Sequence, residues 1–168
     1  PEIKPNMRRF GIIAFAVFVA DQVTKWMAVA HLTRAFGPLP GKEAAATFGE
    51  QMSRFLWHQH PARSNIVAVL DDFWHFRYVE NPGAAFGLFA GQAAWFRTPF
   101  FVVVTILAMG FILYLYRSSE PAQVLTRWSL ALIFGGAVGN LVDRIRLGYV
   151  IDFIDWHWYN VATWPTFN

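Results

Sequence analysis

The sequence predicts a mostly α-helical membrane protein, a bundle of transmembrane helices with a small β-sheet on the outer membrane surface. Hydrophobic residues make up 55% of the 168-residue chain and charged residues only 15%, whereas soluble domains carry roughly 25% charged residues. Three apolar stretches approach or exceed the length of about 20 residues that a membrane-spanning helix needs. Aromatic residues, 18% of the chain, suit side chains that anchor a protein at both membrane interfaces.

The first predicted transmembrane helix covers residues 10–32, the second residues 99–116 and the third residues 128–142. The second stretch contains no charged residue. The third contains Gly135, Gly136 and Gly139, small residues that let another helix approach closely. We therefore expect a single membrane domain over residues 1–168.

Basic residues flank the predicted helices on one side, at Lys4, Arg8, Arg9, Arg117 and Arg127. Because cytoplasmic segments carry an excess of Lys and Arg, we expect a cytoplasmic N-terminus, with residues 33–96 and those beyond about 145 outside. No removable signal peptide is recognisable, so the first helix is expected to remain as an anchor.

In the outer segment, residues 43–57 are weakly helical, and in residues 73–79 apolar and polar residues alternate as in a short strand. Residues 34–72 form an insert of unassigned function.

The composition excludes several other classes of site. The chain has a net charge of +3, but its basic residues do not cluster on one face as a nucleic-acid site requires. It has no cysteine. His58 and His60 form a pair without a third ligand in a zinc pattern. We therefore expect no nucleic acid, no metal and no cofactor.

Two ionisable residues lie within the first predicted helix. Each costs at least ~2.5 kcal/mol on membrane insertion scales, so such residues normally pair and face a protein interior or a water-filled cavity. Asp21 and Lys25 are four residues apart, with the acid first, which favours an ion pair on one helical face. The alternative is an interfacial pair whose lysine extends to water. Transport, anchoring and catalysis all remain open at this point.

A second polar group ends the third predicted helix. Asn140, Asp143 and Arg144 have the spacing that brings an amide, a carboxylate and a guanidinium to one face. Such a group can hold peptide carbonyls. The alternative is a helix cap with an interfacial anchor.

The segment after this helix carries two aspartates, Asp152 and Asp155, among apolar and aromatic residues. Burial in such surroundings raises the pKa of a carboxyl group. A carboxyl group with a raised pKa is a candidate catalytic acid, although either aspartate could equally be a solvated loop residue. Asn81, by itself, is most often a turn residue.

Five motifs together resemble the lipoprotein signal peptidase (signal peptidase II) family. They are Asp21-Gln22-x-Thr24-Lys25, Asn81-Pro82-Gly83-Ala84-Ala85-Phe86, Gly135-Gly136-Ala137-x-Gly139-Asn140-x-x-Asp143-Arg144, Val150-x-Asp152-Phe153 and Phe167-Asn168. The insert 34–72 is not covered. The resemblance implies an intramembrane aspartic endopeptidase of the bacterial inner membrane, with its active site near the outer face. Such an enzyme removes the signal peptide of diacylglyceryl-modified prolipoproteins just before the lipidated cysteine.

The resemblance also implies residue roles. Asp152 would be catalytic and Asp143 would support the site. Substrate would be positioned by Asp21, Lys25, Asn81, Asn140, Arg144 and Asn168. The implied partners are a lipidated prolipoprotein and membrane lipid, and we expect a monomer.

The family's second catalytic aspartate lies in Phe-Asn-x-Ala-Asp, three residues past the position of Asn168, and a fourth transmembrane helix follows it. Aspartic peptidases need two carboxylates. Asp155 would point to the opposite face of an extended segment from Asp152. We therefore expect residues 1–168 by themselves to lack peptidase activity. The alternatives from other classes are a small transporter or channel subunit, because paired charges in helices also mark ion pathways, and a non-catalytic lipid-binding scaffold.

Overall fold

The structure is a computed structural model that describes residues 6–83, 92–158 and 161–168. Its described helices are α1 (Met7–Leu32), α2 (Phe48–Trp57), α3 (Ala94–Ser118) and α4 (Val124–Leu147). Its described strands are β1 (Val67–Leu70), β2 (Trp74–Asn81), β3 (Val150–Trp158) and β4 (Ala162–Thr163). The mostly α-helical membrane fold with a small antiparallel sheet is thereby confirmed.

The three long helices α1, α3 and α4 are long and apolar enough to cross a membrane. Each extends a few residues beyond its predicted apolar stretch, because a helix can continue into its polar flanks. The Asn6 side chain caps α1 by accepting the Arg9 N–H at 3.0 Å. Large apolar side chains remain exposed on all three helices, including Phe15, Leu107 and Leu132. Exposed apolar surface of this kind is typical of helices that face lipid.

Helices α1 and α4 pack closely because α4 carries glycines at the contact. A Cβ at Gly135 would lie 2.5 Å from the backbone oxygen of Ala14, and a Cβ at Gly139 would overlap the Asp21 carboxylate. Among the described residues, a Cβ at Gly136 would meet no atom within 4 Å. The predicted close approach therefore depends on Gly135 and Gly139, whereas Gly136 is not at a contact between the described helices.

Replacing Gly135 by Ala is expected to lower the thermal unfolding temperature of the detergent-purified chain. The added methyl group meets backbone, which cannot move aside as a flexible side chain would, and overpacking of this kind costs about 1–3 kcal/mol. The matched control is Gly136→Ala, which is expected to leave the unfolding temperature unchanged or slightly higher, since Ala is the better helix former. Equal unfolding temperatures for the two variants would contradict this account of the α1–α4 contact.

The four strands form an antiparallel sheet in the order β1-β2-β3-β4. Gly148 ends α4 with a φ of 83°, a left-handed conformation that favours glycine, so the chain turns directly from α4 into β3. Strand β2 pairs with β3 so that His75 lies opposite Asp155 and Val79 lies opposite Asp152. The strand predicted over residues 73–79 is thus present as β2.

The outer segment differs from its prediction in two respects. Helix α2 begins at Phe48 rather than at residue 43, because Thr47 and Glu50 form a reciprocal capping box that fixes the start of the helix. Strand β1 lies within the insert 34–72, for which the sequence predicted no strand. The Ala84-Ala85-Phe86 part of the asparagine motif lies outside the described residues.

Two apolar clusters lie along the parallel helices α1 and α4. The first joins the N-terminal halves of α1 and α4 to α3 and contains Phe10, Ala14, Ile112, Tyr116, Leu130 and Ala131. The second joins their C-terminal ends to α2 and the sheet and contains Ala28, Val29, Leu32, Ala35, Phe55, Tyr78, Leu147, Tyr149 and Ile151. Between these clusters lies a polar layer formed by Asp21 and Lys25 of α1 and by Asn140 and Asp143 of α4.

Candidate active site

Lys25 is the centre of the polar layer between α1 and α4. Its side chain is 0% exposed, and its ammonium donates to Asp21 Oδ1 at 2.9 Å, Asp143 Oδ2 at 2.8 Å and Asn140 Oδ1 at 2.7 Å. An ammonium has three donors, so all of them are used. Lys25 therefore does not extend to a membrane interface; it fixes α1 against α4.

Asp143 connects this layer to the start of β3. Its side chain is 0% exposed, and its Oδ1 accepts a hydrogen bond from Arg146 at 2.8 Å. Its Oδ2 accepts from the backbone N–H of Ile151 at 3.3 Å. The carboxylate of Asp143 thereby holds the residue that precedes Asp152 in the chain.

Asp152 lies on β3 and is 4% exposed. Asn81 donates to its Oδ2 at 2.9 Å, and Asn168 donates to its Oδ1 at 2.9 Å. Burial raises the pKa of Asp152 to about 6, although the Asn81 hydrogen bond and the charges of Lys25 and Arg144 oppose the rise. Asp152 is therefore buried and still mostly ionised at neutral pH, and it is not a solvated loop residue.

Asn168 reaches this carboxylate because the chain just before it joins the sheet. Ile154 and Phe167 exchange backbone hydrogen bonds of 2.8 and 3.0 Å. The Asn168 amide nitrogen then lies 3.0 Å from Ile151 O and 3.1 Å from Asn140 Oδ1, besides its contact with Asp152. Asn168 therefore links the carboxylate on β3 to the polar layer between α1 and α4.

Arg144 lies near the C-terminal end of α4 and contacts the chain just after Asn81. Its Nη2 donates to the backbone oxygen of Gly83 at 3.3 Å, and its guanidinium lies 5.4 Å from the ring centre of Phe101. Its Nε is buried and has no hydrogen-bond partner among the described residues. A buried donor without an acceptor is costly, so this nitrogen is suited to an acceptor on a bound ligand.

The structure brings most of the sequence-predicted residues into one connected network. Its members are Asp21, Lys25, Asn81, Asn140, Asp143, Asp152 and Asn168. Arg144 joins through Gly83, two residues after Asn81. Asp155 is buried elsewhere on β3 and pairs with Arg77 at 3.0 Å, so it does not share the partners of Asp152.

Arg146 is a residue of the site whose role was not predicted from the sequence. Besides Asp143, it contacts Phe55 of α2: its Nη1 donates to the backbone oxygen at 2.6 Å, and its guanidinium lies 4.2 Å from the ring centre. The insert is thereby attached to the carboxylate that holds Lys25. In the sequence, the three-residue spacing from Asp143 to Arg146 was the only indication of this ion pair, and the same arginine could have served only to end the helix.

Comparison with known proteins yields consistent matches. A family model described as signal peptidase (SPase) II matches residues 13–168. The lipoprotein signal peptidase of Anaeromyxobacter sp. (strain Fw109-5) is 45% identical over 161 residues, which cover 93% of this chain and 74% of that protein. The lipoprotein signal peptidase of Moorella thermoacetica is 44% identical over 119 residues, 71% of this chain and 73% of that protein. A bacterial membrane enzyme solved by the in meso method superposes with a TM-score of 0.66 at 25% identity, covering 100% of this chain and 81% of that one.

Proposed function

The chain belongs to the signal peptidase II family of peptidases, and we propose that it removes the signal peptide of diacylglyceryl-modified prolipoproteins just before the lipidated cysteine. In this proposal it is an intramembrane aspartic endopeptidase and Asp152 is one of its two catalytic carboxylates. The observation that carries the proposal is the state of Asp152: it is buried, ionisable near neutral pH and held by the amides of Asn81 and Asn168.

In the proposed reaction, Asp152 takes a proton from the water that attacks the peptide carbonyl. A second carboxyl group, kept protonated by the shared low-dielectric site, donates a proton to the departing amide. Asp21 and Asp143 do not suit this second role because both are ion-paired with Lys25. The family resemblance assigns it to an aspartate three residues past the position of Asn168, and the contact of Asn168 with Asp152 is consistent with this.

We further propose separate roles, in substrate binding and in structure, for the remaining site residues. Arg144 and Asn81 bind peptide carbonyls of the substrate. For Arg144 the support is that its Nε has no acceptor among the described residues, and for Asn81 it is the family resemblance. Asn140 and Asn168 help to position the substrate beside these two residues. Lys25 has no exposed surface, so we assign Lys25, Asp21 and Asp143 to holding the helices and β3 in position. This assignment differs from the direct substrate contact that the resemblance implies for Lys25 and Asp21.

The proposed location is the inner membrane, as a monomer with a cytoplasmic N-terminus. The α1 start and the α3–α4 connection meet at one end of the bundle, where Tyr116 donates to the Asn6 backbone oxygen at 3.0 Å. This end carries Arg8, Arg9 and Arg127, which favours the cytoplasmic side. The Asp152 site lies toward the opposite ends of α1 and α4. It is thus near the outer face, where it can meet a lipidated prolipoprotein and membrane lipid.

The test compares residues 1–168 with a longer chain that carries the second aspartate of the family motif. Both are purified in detergent and incubated with a precursor peptide, with and without diacylglycerol on its cysteine. The longer chain is expected to cleave only the lipidated precursor, and residues 1–168 to cleave neither. Cleavage by residues 1–168 would refute the requirement for a second carboxylate. Equal cleavage of both precursors by the longer chain would refute the proposed substrate class.

A further inference from the structure

A second cluster of metal-ligating side chains lies on the sheet and is not used by the proposed reaction. His75 of β2 lies directly opposite Asp155 of β3. His157 lies two residues further along β3, and side chains two residues apart on a strand share a face. One ligand atom from each of these three residues lies within 4.8 Å of the other two.

The two histidines converge on one oxygen atom. His75 Nε2 lies 2.8 Å and His157 Nε2 lies 3.4 Å from the backbone oxygen of Asp71, in the turn between β1 and β2. Ligand atoms about 2.1 Å from one cation, at right or tetrahedral angles, are themselves about 3.0–3.4 Å apart. The two nitrogen–oxygen separations are therefore close to those of neighbouring ligands on one metal ion.

Asp155 supplies the negative charge of the cluster. The residue is 7% exposed, and its Oδ2 accepts from Arg77 Nε at 3.0 Å. Because that ion pair engages Oδ2, Oδ1 is the oxygen suited to a further ligand. Arg77 is itself a cation that competes with a metal ion for the same carboxylate.

We propose that His75, Asp155 and His157 bind a divalent transition-metal ion of the zinc type, with the Asp71 backbone oxygen as a fourth ligand. Imidazole nitrogens with one carboxylate oxygen are a preferred ligand set for such ions. The bound ion joins β2 to β3. Because these strands carry Asn81 and Asp152, the ion would stiffen the sheet that presents the catalytic carboxylate.

The competing explanation is a metal-free arrangement in which both histidines donate hydrogen bonds to the Asp71 oxygen. The ring centroids of His75 and His157 lie 4.3 Å apart with the planes at 61°, and such an edge-on contact is favourable without a metal. The two explanations differ in one respect: only the metal site predicts saturable binding of one ion per chain.

The test titrates the tag-free chain in detergent with Co²⁺, followed by its visible absorption, and then with Zn²⁺ as competitor. We expect one Co²⁺ per chain, displaced by Zn²⁺. His157→Asn and His75→Asn are each expected to weaken binding by at least about 10-fold, the lower end of the loss found when even outer-shell groups are removed. The matched control is His58→Asn, at a half-buried histidine outside the cluster, which is expected to bind as the unaltered chain does.

A third variant keeps the test independent of folding defects. Arg77→Gln removes the competing cation while retaining all three ligands, so it is expected to tighten Co²⁺ binding. Absence of saturable binding, or equal affinity in the unaltered chain and both cluster histidine variants, would overturn the metal site. Loss of binding in His58→Asn would show that the ion binds elsewhere. Unchanged or weaker binding in Arg77→Gln would overturn the assignment of Asp155 as a ligand.

Discussion

Replacing Asp152 by Asn, in a chain that carries the second aspartate, is expected to reduce cleavage of a lipidated precursor by about 10⁴-fold, the upper range for loss of a general base. An amide cannot take a proton from the attacking water. It remains close in shape to the carboxylate, so the buried position between Asn81 and Asn168 stays filled. The measurement is the rate of product formation from a fluorescent lipopeptide, with the unfolding temperature recorded alongside.

The matched control for this experiment is Asp72→Asn, the same chemical change at an exposed residue in the turn before β2. It is expected to leave the cleavage rate unchanged. Asp152→Asn also separates the peptidase from the transporter, because ion flux through the helices would not need this carboxylate. Cleavage by Asp152→Asn at a rate near that of Asp72→Asn would remove Asp152 from the mechanism.

Replacing Lys25 by Met is expected to give the largest loss of stability. It leaves the carboxylates of Asp21 and Asp143 close together in a buried layer without their shared ammonium. Breaking a buried ion pair by removing one partner costs about 3–5 kcal/mol. The measurement is the unfolding temperature in detergent, together with the yield of folded protein.

Two further variants make this expectation specific. Lys42→Met makes the same change at an exposed lysine and is expected to have little effect. Asp143→Asn, added to Lys25→Met, removes one of the two carboxylate charges that the Lys25 ammonium faced and is expected to recover part of the stability, since residues in contact have non-additive effects. If Lys25→Met unfolds at the same temperature as Lys42→Met, the charged layer does not hold α1 against α4.

The sequence by itself determined the features that depend on near neighbours in the chain. The three membrane helices follow from the length and apolarity of their stretches. The pairing of Asp21 with Lys25 follows from the period of a single helix. The motif spacings also identified the family and most of the residues that form one connected polar network in the structure.

Only the tertiary structure decided how these local groups meet. Lys25 contacts Asp143 because Gly135 and Gly139 let α1 and α4 approach closely. Asp152 meets Asn81 because β2 and β3 pair in one particular register. Strand register depends on contacts between residues far apart in the chain, and a shift of one residue would turn the side chains to the other face of the sheet.

Dependence on contacts between residues far apart in the chain also explains what the sequence did not reveal. The contact of Arg146 with Phe55 requires the insert helix to pack against the end of α4. The cluster of His75, Asp155 and His157 requires the pairing of two strands that are widely separated in the sequence. The sequence thus determined which polar groups lie in which helix or strand, whereas packing and strand register determined that Lys25 is fully enclosed and that Asp152 is held by two amides.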